Sequence, residues 1–308
     1  MNIIGKRKIW YLISLVLIVP GIIALILWGL PLGIDFKGGT LLDIQYNNPG
    51  VQREQIQEKL QANSINEASI QQGSDNTFLI RTTPLDQETV KKLSEGLGQI
   101  GEYKQNRLDT VGPTVSADLA VRSLIALIVA AIAIIIYIAI AFRKVPKPVS
   151  SWKFGVCAVL ALTHDLLFVV GGFAILGHYF NYEINSLFIT ALLTVMGFSV
   201  HDTIVVFDRV RENLRQSPSL DFEKNVNNSI LTTLNRSLNT SFTVIIVLLA
   251  LYLLGGESLK HFVLALLLGV AIGTYSSIFN AAPLLVSWQS WTMKRLRAKR
   301  ASQGLVEA

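Results

Sequence analysis

Six long apolar segments dominate the pattern of hydrophobic and polar positions along this chain of 308 residues. They cover roughly residues 9–30, 120–142, 154–176, 184–207, 237–254 and 261–288. A helix needs about 20 mainly apolar residues to cross a bilayer, and these segments are close to that length or longer. The pattern therefore predicts an α-helical membrane protein with six transmembrane helices. The first segment is too long for a signal peptide and lacks its small-residue cleavage site, so we expect an uncleaved anchor.

Residues 36–115, between the first two apolar segments, have the alternation and turns of a soluble domain. The pattern predicts strands over 40–46, 68–72, 77–82 and 102–110, with helices over 51–62 and 85–97. A Gly-Ser-Asp-Asn turn is predicted to join the second and third strands. The order βαββαβ is typical of a small α+β, ferredoxin-like domain with its helices on one face of the sheet.

Lys and Arg favour the cytoplasmic loops of membrane proteins. In this chain they cluster before span one, between spans two and three, between spans four and five, and after span six. The alternate connections, 178–183 and 255–260, contain a single Lys. We therefore expect cytoplasmic termini and an extracytoplasmic domain. The net charge of +6 follows the same bias, which favours membrane orientation over nucleic-acid binding.

These expectations divide the chain into four parts. The parts are an N-terminus with span one (1–35), the extracytoplasmic domain (36–115), spans two to six (116–290) and a basic cytoplasmic tail (291–308). The composition also indicates an integral membrane protein, since 51% of the residues are hydrophobic and only 16% are charged.

Several classes of chemistry are disfavoured by what the chain contains. The predicted domain has no His or Cys, so a binding or mechanical role is favoured there over catalysis. The lone Cys157 allows no internal disulfide, and we expect it to pack as a small apolar residue. No ATP-binding loop is present, and the predicted cytoplasmic loops are too short for an ATPase. Any work must draw on an ion gradient or a partner.

Ionisable residues within the apolar spans are the strongest functional signal. Asp165 follows His164 near the middle of span three, Asp202 follows His201 in span four, and Arg236 lies at the inner end of span five. A charge in hydrocarbon costs about 2.5–3.5 kcal/mol on insertion scales, so such residues usually serve ion or proton passage. Counting from the outer ends of their spans places Asp202 and Arg236 at similar depth, where they can pair. Protonation of Asp202 would then release Arg236, a switch that a proton gradient can drive.

Structural interpretations of the same residues stay open. Arg236 can snorkel to the cytoplasmic interface, Asp202 can be a structural hydrogen-bonding residue, and Asp165 can pair locally with its neighbouring His. The histidines are more typical of polar packing partners than of metal ligands, because the His-Asp dipeptides lack the His-Glu-x-x-His spacing of a metalloprotease. Asp208 and Arg209 belong to a charged cluster at the inner face, where capping, gating or partner contact are the alternatives.

Five motifs, in this order along the chain, resemble those of the SecD/SecF translocase family, and of its SecF members in particular. They are 32–39 after span one, 111–113 before span two, His164-Asp165 in span three, 197–213 in span four and 236–241 in span five. The first resembles the Gly-Ile-Asp-Phe-x-Gly-Gly signature and includes Asp35, Gly38 and Gly39, while the fourth includes Asp208 and Arg209. The compact outer domain favours the SecF type, because the outer region of SecD is much larger.

The resemblance implies membership of the RND superfamily, location in the bacterial inner (plasma) membrane, and use of proton motive force without a cofactor. It also implies pairing with SecD, association with the SecYEG channel, and cooperation with SecA on preprotein substrates. Carried over by position, the proton-linked residues are Asp202 and Arg236, with Asp165 next. The chain departs from the family at position 201, often Asn, and at Phe198, usually Tyr. His201 therefore adds a second titratable group to the expected proton relay.

Three alternative functions remain open at this point, as do the motion of the outer domain and the host membrane in a cell with several energised membranes. The alternatives are an RND-type exporter of small molecules or lipids, a membrane-embedded hydrolase using His164 and His201, and a structural assembly subunit. An exporter of that type usually carries twelve spans and two large outer domains, and this chain has half of that. The sequence does not distinguish H⁺ from Na⁺ as the coupling ion, and the role of His201 is equally open.

Overall fold

The computed structural model of the chain describes residues 2–73, 76–143, 149–217 and 220–302. Its residues form two compact units. The bundle unit consists of Met1–Pro31 and Ala126–Ala308, and the sheet unit consists of Leu32–Ile125. Two residues of the predicted Gly-Ser-Asp-Asn turn, and the end of the predicted basic tail, lie outside the described residues.

The helices and strands follow one another along the chain. They are a 3₁₀ turn (Ile4–Lys6), α1 (Arg7–Trp28), α2 (Ile34–Lys37), β1 (Gly39–Tyr46), α3 (Arg53–Ala62), β2 (Ala68–Gln72), β3 (Thr77–Thr82), α4 (Gln87–Gly98), β4 (Tyr103–Val111), α5 (Pro113–Ala141), α6 (Ser151–Phe180), α7 (Ser186–Gln216), α8 (Phe222–Leu254), α9 (Glu257–Ser276), a π-helical turn (Ser277–Ala281) and α10 (Ala282–Ser302).

Six helical segments in the described parts of the chain are long and apolar enough to cross a membrane, as the hydrophobic pattern predicted. Two are much longer than their apolar parts, because α7 continues to Gln216 and α8 already begins at Phe222. The continuation of α7 carries ion pairs one turn apart, and Asp221 caps α8 by accepting from the backbone N–H groups of Glu223 and Lys224. Hydropathy marks only the apolar part of such a helix.

The last span is not one regular helix. The π-helical turn Ser277–Ala281 separates α9 from α10, and Pro283 follows it in the first turn of α10. Proline has no backbone N–H to donate to the carbonyl of Phe279, four residues earlier, so a regular α-helical ladder cannot run through this point. The widened turn absorbs this interruption within the span.

Glycine allows two helices of the bundle unit to cross at backbone contact. A Cβ added to Gly171 of α6 would lie 2.6 Å from the Cα of Gly21 in α1. The next residue, Gly172, has open space around the same position. The first of the two glycines is therefore required by helix packing and the second is not.

The sheet unit has the βαββαβ order that the sequence predicted. Its four strands are arranged β2-β3-β1-β4, and every neighbouring pair is antiparallel, as in a ferredoxin-like fold. Ile56 and Leu60 of α3 and Leu93 and Leu97 of α4 are buried in one apolar cluster with residues of the sheet. Tyr46 lies in the same core and donates to the backbone carbonyl of Leu97 at 3.1 Å. Burial raises the pKa of its phenol.

Candidate functional site

The Asp165 carboxylate is a fully buried hydrogen-bond acceptor at the meeting point of three helices. It accepts from Ser199 of α7 at 2.5 Å and from Ser276 of α9 at 2.7 Å. Nδ1 of His164, next to it on α6, lies 2.9 Å from its other oxygen. Donors of this kind offset the loss of hydration of a buried carboxylate, so Asp165 joins α6, α7 and α9 through a well-compensated polar centre.

Asp202 is also buried, with 2% of its surface exposed, but its carboxylate has fewer donors. The hydroxyl oxygens of Thr274 (α9) and Ser241 (α8) lie 3.4 and 3.5 Å from it, and only 2.5 Å from each other. Each hydroxyl has one proton, and one of the two protons must lie between the two oxygens. At most one hydroxyl is therefore left to donate to Asp202. The charge on Asp202 is less well compensated than that on Asp165.

Both centres depend on the close approach of α9 to α7. A Cβ added to Gly269 would lie 2.0 Å from Cγ2 of Val195, and one added to Gly273 would lie 3.2 Å from Cβ of Ser199. These contacts show that the Gly269-x-x-x-Gly273 spacing serves close helix packing. The polar residues that follow on α9 are thereby held against both carboxylates.

The predicted ion pair between Asp202 and Arg236 is not found in the described part of the chain. Arg236 is exposed on α8, whereas Ser237 and Ser241 are buried. Successive residues of a helix point about 100° apart, so the neighbour of a buried residue readily faces outward. Counting residues predicted depth along the axis but not direction around it. His201 is also exposed.

The charged cluster at the end of α7 is paired within its own helix. Asp208 bonds to Arg211 at 2.5 Å, and Arg209 bonds to Glu212 at 2.7 Å. Arg209 also contacts the Thr232 hydroxyl of α8 at 3.3 Å. This geometry agrees with a structural role that stabilises the polar extension of α7. Neither Asp208 nor Arg209 belongs to the two carboxylate centres.

The Gly38-Gly39 pair has a backbone role in the sheet unit. The two residues have φ angles of +78° and +141° at the junction of α2 and β1. A Cβ on Gly39 would also lie 2.6 Å from the backbone oxygen of Thr82. Side chains are therefore excluded here by both conformation and space. Asp35, from the same motif, lies in the single turn of α2.

The α9 side of the site was not predicted from the sequence. Thr274 and Ser276 were not predicted, although each contacts one of the two carboxylates. Ser14 of α1, which donates to Asn280 at 2.8 Å, was missed as well. The available signal was the run of hydroxyl residues directly after the paired glycines. Across the described ranges, no group of three His, Cys, Asp or Glu side chains is arranged to hold a metal ion.

The chain is similar to known protein export proteins over nearly its whole length. Residues 89–291 match the family described as "Protein export membrane protein SecD/SecF, C-terminal", and residues 29–49 match the "SecD/SecF GG Motif". The chain is 48% identical to the protein translocase subunit SecF of Thermobaculum terrenum, with 96% of each chain covered. It is 42% identical to that of Anaerolinea thermophila, with 94% of each covered.

Solved structures give the same result. The crystal structure of SecDF from Thermus thermophilus, described as a translocon-associated membrane protein, matches with a TM-score of 0.83 and 33% identity. The match covers 94% of this chain but only 39% of the SecDF chain. A second SecDF structure, in a super-membrane-facing form, matches with a TM-score of 0.68 over 98% of this chain and 40% of that one.

Proposed function

The chain belongs to the SecD/SecF family as a SecF-type translocase subunit, and we propose that it couples proton motive force to the outward movement of preproteins. The family makes it a multi-pass bacterial membrane protein and a transport component of the Sec export machinery. The two buried carboxylates, Asp165 and Asp202, support the coupling to protons.

The observation that carries the proposal is the unequal compensation of Asp165 and Asp202. Asp165 has donors on three helices, whereas Asp202 has at most one hydroxyl donor from the pair Ser241 and Thr274. A buried charge with so few donors requires rearrangement, a counter-charge or a proton. Proton uptake at Asp202 changes its need for hydrogen-bond donors from α8 and α9. It can therefore bias the packing of those helices. A charge moved through 100 mV supplies about 2.3 kcal/mol for such a change.

Pairing with SecD is the second part of the proposal. The solved structures that resemble this chain are SecDF chains, of which it spans about two-fifths. Polar side chains also face outward from the apolar spans, among them His201, Arg236, Asn239 and Thr240. Such groups are unfavourable against hydrocarbon, so a protein partner suits this face better than lipid does. In the paired state Arg236 and His201 would supply charge near Asp202.

The remaining assignments follow from the family and the charge pattern. We propose that residues 36–115 form a domain on the outer side of the bacterial inner membrane and that both termini are cytoplasmic. The SecYEG channel, SecA and the preprotein are the proposed partners during export. In this account the outer domain holds or moves the preprotein as the membrane part takes up and releases protons.

Translocation into energised membrane vesicles tests the proposal. Vesicles hold this chain with SecD, SecYEG and SecA, and the gradient-dependent part of preprotein translocation is the part that an uncoupler removes. We expect Asp202→Asn to abolish that part and to leave the ATP-driven part intact. Asp118→Asn is the matched control, because it removes an exposed carboxylate from another long helix. Equal gradient-dependent rates in Asp202→Asn and wild type, with the complex assembled, would contradict the proposal.

A further inference from the structure

Five small polar residues form a continuous buried row on α8. The row consists of Asn225, Ser229, Thr233, Ser237 and Ser241, each four residues after the last. All are buried, with exposed fractions between 0% and 8%. Residues four apart are neighbours on a helix surface, and sixteen residues span about 24 Å, so the row is a polar path of that length inside the bundle unit.

One end of the row reaches Asp202 and the other reaches the start of α8. Ser241 lies 3.5 Å from the Asp202 carboxylate. Asn225 lies in the first turn of α8, next to the exposed Lys224 and one turn after the exposed cap Asp221. The row therefore leads from the buried carboxylate to an end of the helix that carries charged, exposed groups.

Hydroxyl groups in helices often donate to their own backbone, and three of the four hydroxyls of the row lie within reach of such an acceptor. Ser229 donates to the carbonyl of Asn225 at 2.8 Å, and Thr233 donates to that of Ser229 at 2.9 Å. The Ser241 hydroxyl oxygen lies 2.9 Å from the carbonyl oxygen of Ser237. Such bonds use the hydroxyl proton and leave the oxygen lone pairs as acceptors. On Ser229 one lone pair already accepts from Nδ2 of Asn213 in α7 at 2.8 Å. Taken by themselves, these three residues fit a purely structural interpretation.

Asn225 and Ser237 do not fit that interpretation. Within the residues that the structure describes, both amide atoms of Asn225 and the hydroxyl of Ser237 lack a hydrogen-bond partner. Asn225 is fully buried and Ser237 is 2% exposed. Buried polar groups are nearly always hydrogen-bonded, and internal water is the usual partner where protein groups are lacking. Asn225, at one end of the row, and Ser237, one turn before the other end, thus require a small ligand that donates and accepts.

We propose that this row binds a file of water molecules that connects the Asp202 carboxylate with the aqueous phase at the start of α8. The proposal deepens the proposed function and rests on it for the role of the protons. Asp202 would give its proton to the first water, each water would pass one proton to the next, and one proton would leave at Asn225. The row contains no titratable side chain, so no group along it retains the proton. The predicted topology makes this the cytoplasmic side.

Cysteine reactivity tests the water file without depending on proton coupling. In a Cys157→Ala background, which removes the only cysteine of the chain, Ser229→Cys and Ser237→Cys are compared with Leu238→Cys. Leu238 is the next residue on α8 at nearly the same depth, and it is 47% exposed on the outer surface. The assembled complex with SecD is treated in membranes with a small methanethiosulfonate. We expect the two row positions to react at least about tenfold faster than position 238, because only the hydrated thiolate reacts.

Equal labelling rates at positions 237 and 238 would overturn the proposal.

A second pair of variants links water to transport. Thr233→Val removes a hydroxyl from the row at constant shape, and Thr233→Ser keeps the hydroxyl. We expect Thr233→Val to reduce gradient-dependent translocation several-fold and Thr233→Ser to retain it. Slow labelling combined with an inactive Asp202→Asn variant would refute the water file alone. Fast labelling with a fully active Asp202→Asn variant would refute the proton route and the proposed function together.

Discussion

Substitution of Gly269 by Ala probes the packing that places α9 against α7. The added Cβ would lie 2.0 Å from Cγ2 and 2.7 Å from Cγ1 of Val195, both far inside van der Waals contact. Overpacking of this kind typically costs about 1–3 kcal/mol. The helices must move apart to relieve it, which lengthens the contacts of Ser276 and Thr274 with the two carboxylates. We therefore expect lower thermal stability of the purified complex and a smaller gradient-dependent translocation rate.

A compensating substitution makes this prediction specific. Val195→Ala removes both methyl groups that the new Cβ would meet and leaves only Cβ of residue 195 close to it, at 3.0 Å. The double variant should therefore recover part of the stability lost in Gly269→Ala. In a double-mutant cycle the coupling between the two sites should be about 1–3 kcal/mol in favour of the double variant. Gly197→Ala on α7 is the control, since its added Cβ meets no neighbouring atom and should be tolerated. Additive effects of Gly269→Ala and Val195→Ala would refute the packing argument.

Two other glycine positions and one buried hydrogen bond give three further tests of the packing. Gly171→Ala, whose Cβ would meet the backbone of Gly21, should destabilise the complex by at least about 1–3 kcal/mol. Gly172→Ala should not destabilise it, because its Cβ has open space. Equal melting temperatures of the two variants would contradict this prediction. Gly39→Ala should lower the stability of the sheet unit by about 1–3 kcal/mol, because Gly39 has a positive φ, and should make this unit sensitive to proteolysis. Gly112→Ala, where the added Cβ has open space, should leave the sheet unit resistant. Ser276→Ala removes a donor to Asp165 and should lower stability by about 1–3 kcal/mol, and an unchanged thermal midpoint would show that this hydrogen bond is not needed.

Much of the fold was predictable because its signals are local. Apolar runs of membrane-spanning length gave the six long helices, and alternation with turn residues gave the βαββαβ order. The polar extensions of α7 and α8 were missed as helix, since they are stabilised by ion pairs and a cap rather than by hydrophobicity. The π-helical turn before Pro283 was also missed, although proline gave a local signal for it.

The site was predictable only in part because it depends on direction around each helix. Asp165 and Asp202 were identified by their charge within apolar spans, and both are buried. The facing direction of Arg236, and the hydroxyls that α9 supplies, follow from how the helices pack. Long-range contacts are harder still: Asn227 accepts from the backbone N–H groups of Ile3 and Ile4, more than 220 residues away. No local pattern in the sequence announces such a contact.

Infrared difference spectroscopy on Asp202 tests the central claim most directly. The complex with SecD is reconstituted in lipid, and spectra are compared as the pH is changed. If Asp202 takes up and releases the coupling proton, a carboxylic-acid band should change with pH, disappear in Asp202→Asn and persist in Asp165→Asn. A pH-dependent band that persists unchanged in Asp202→Asn, or the absence of any such band from the wild-type complex, would contradict the account.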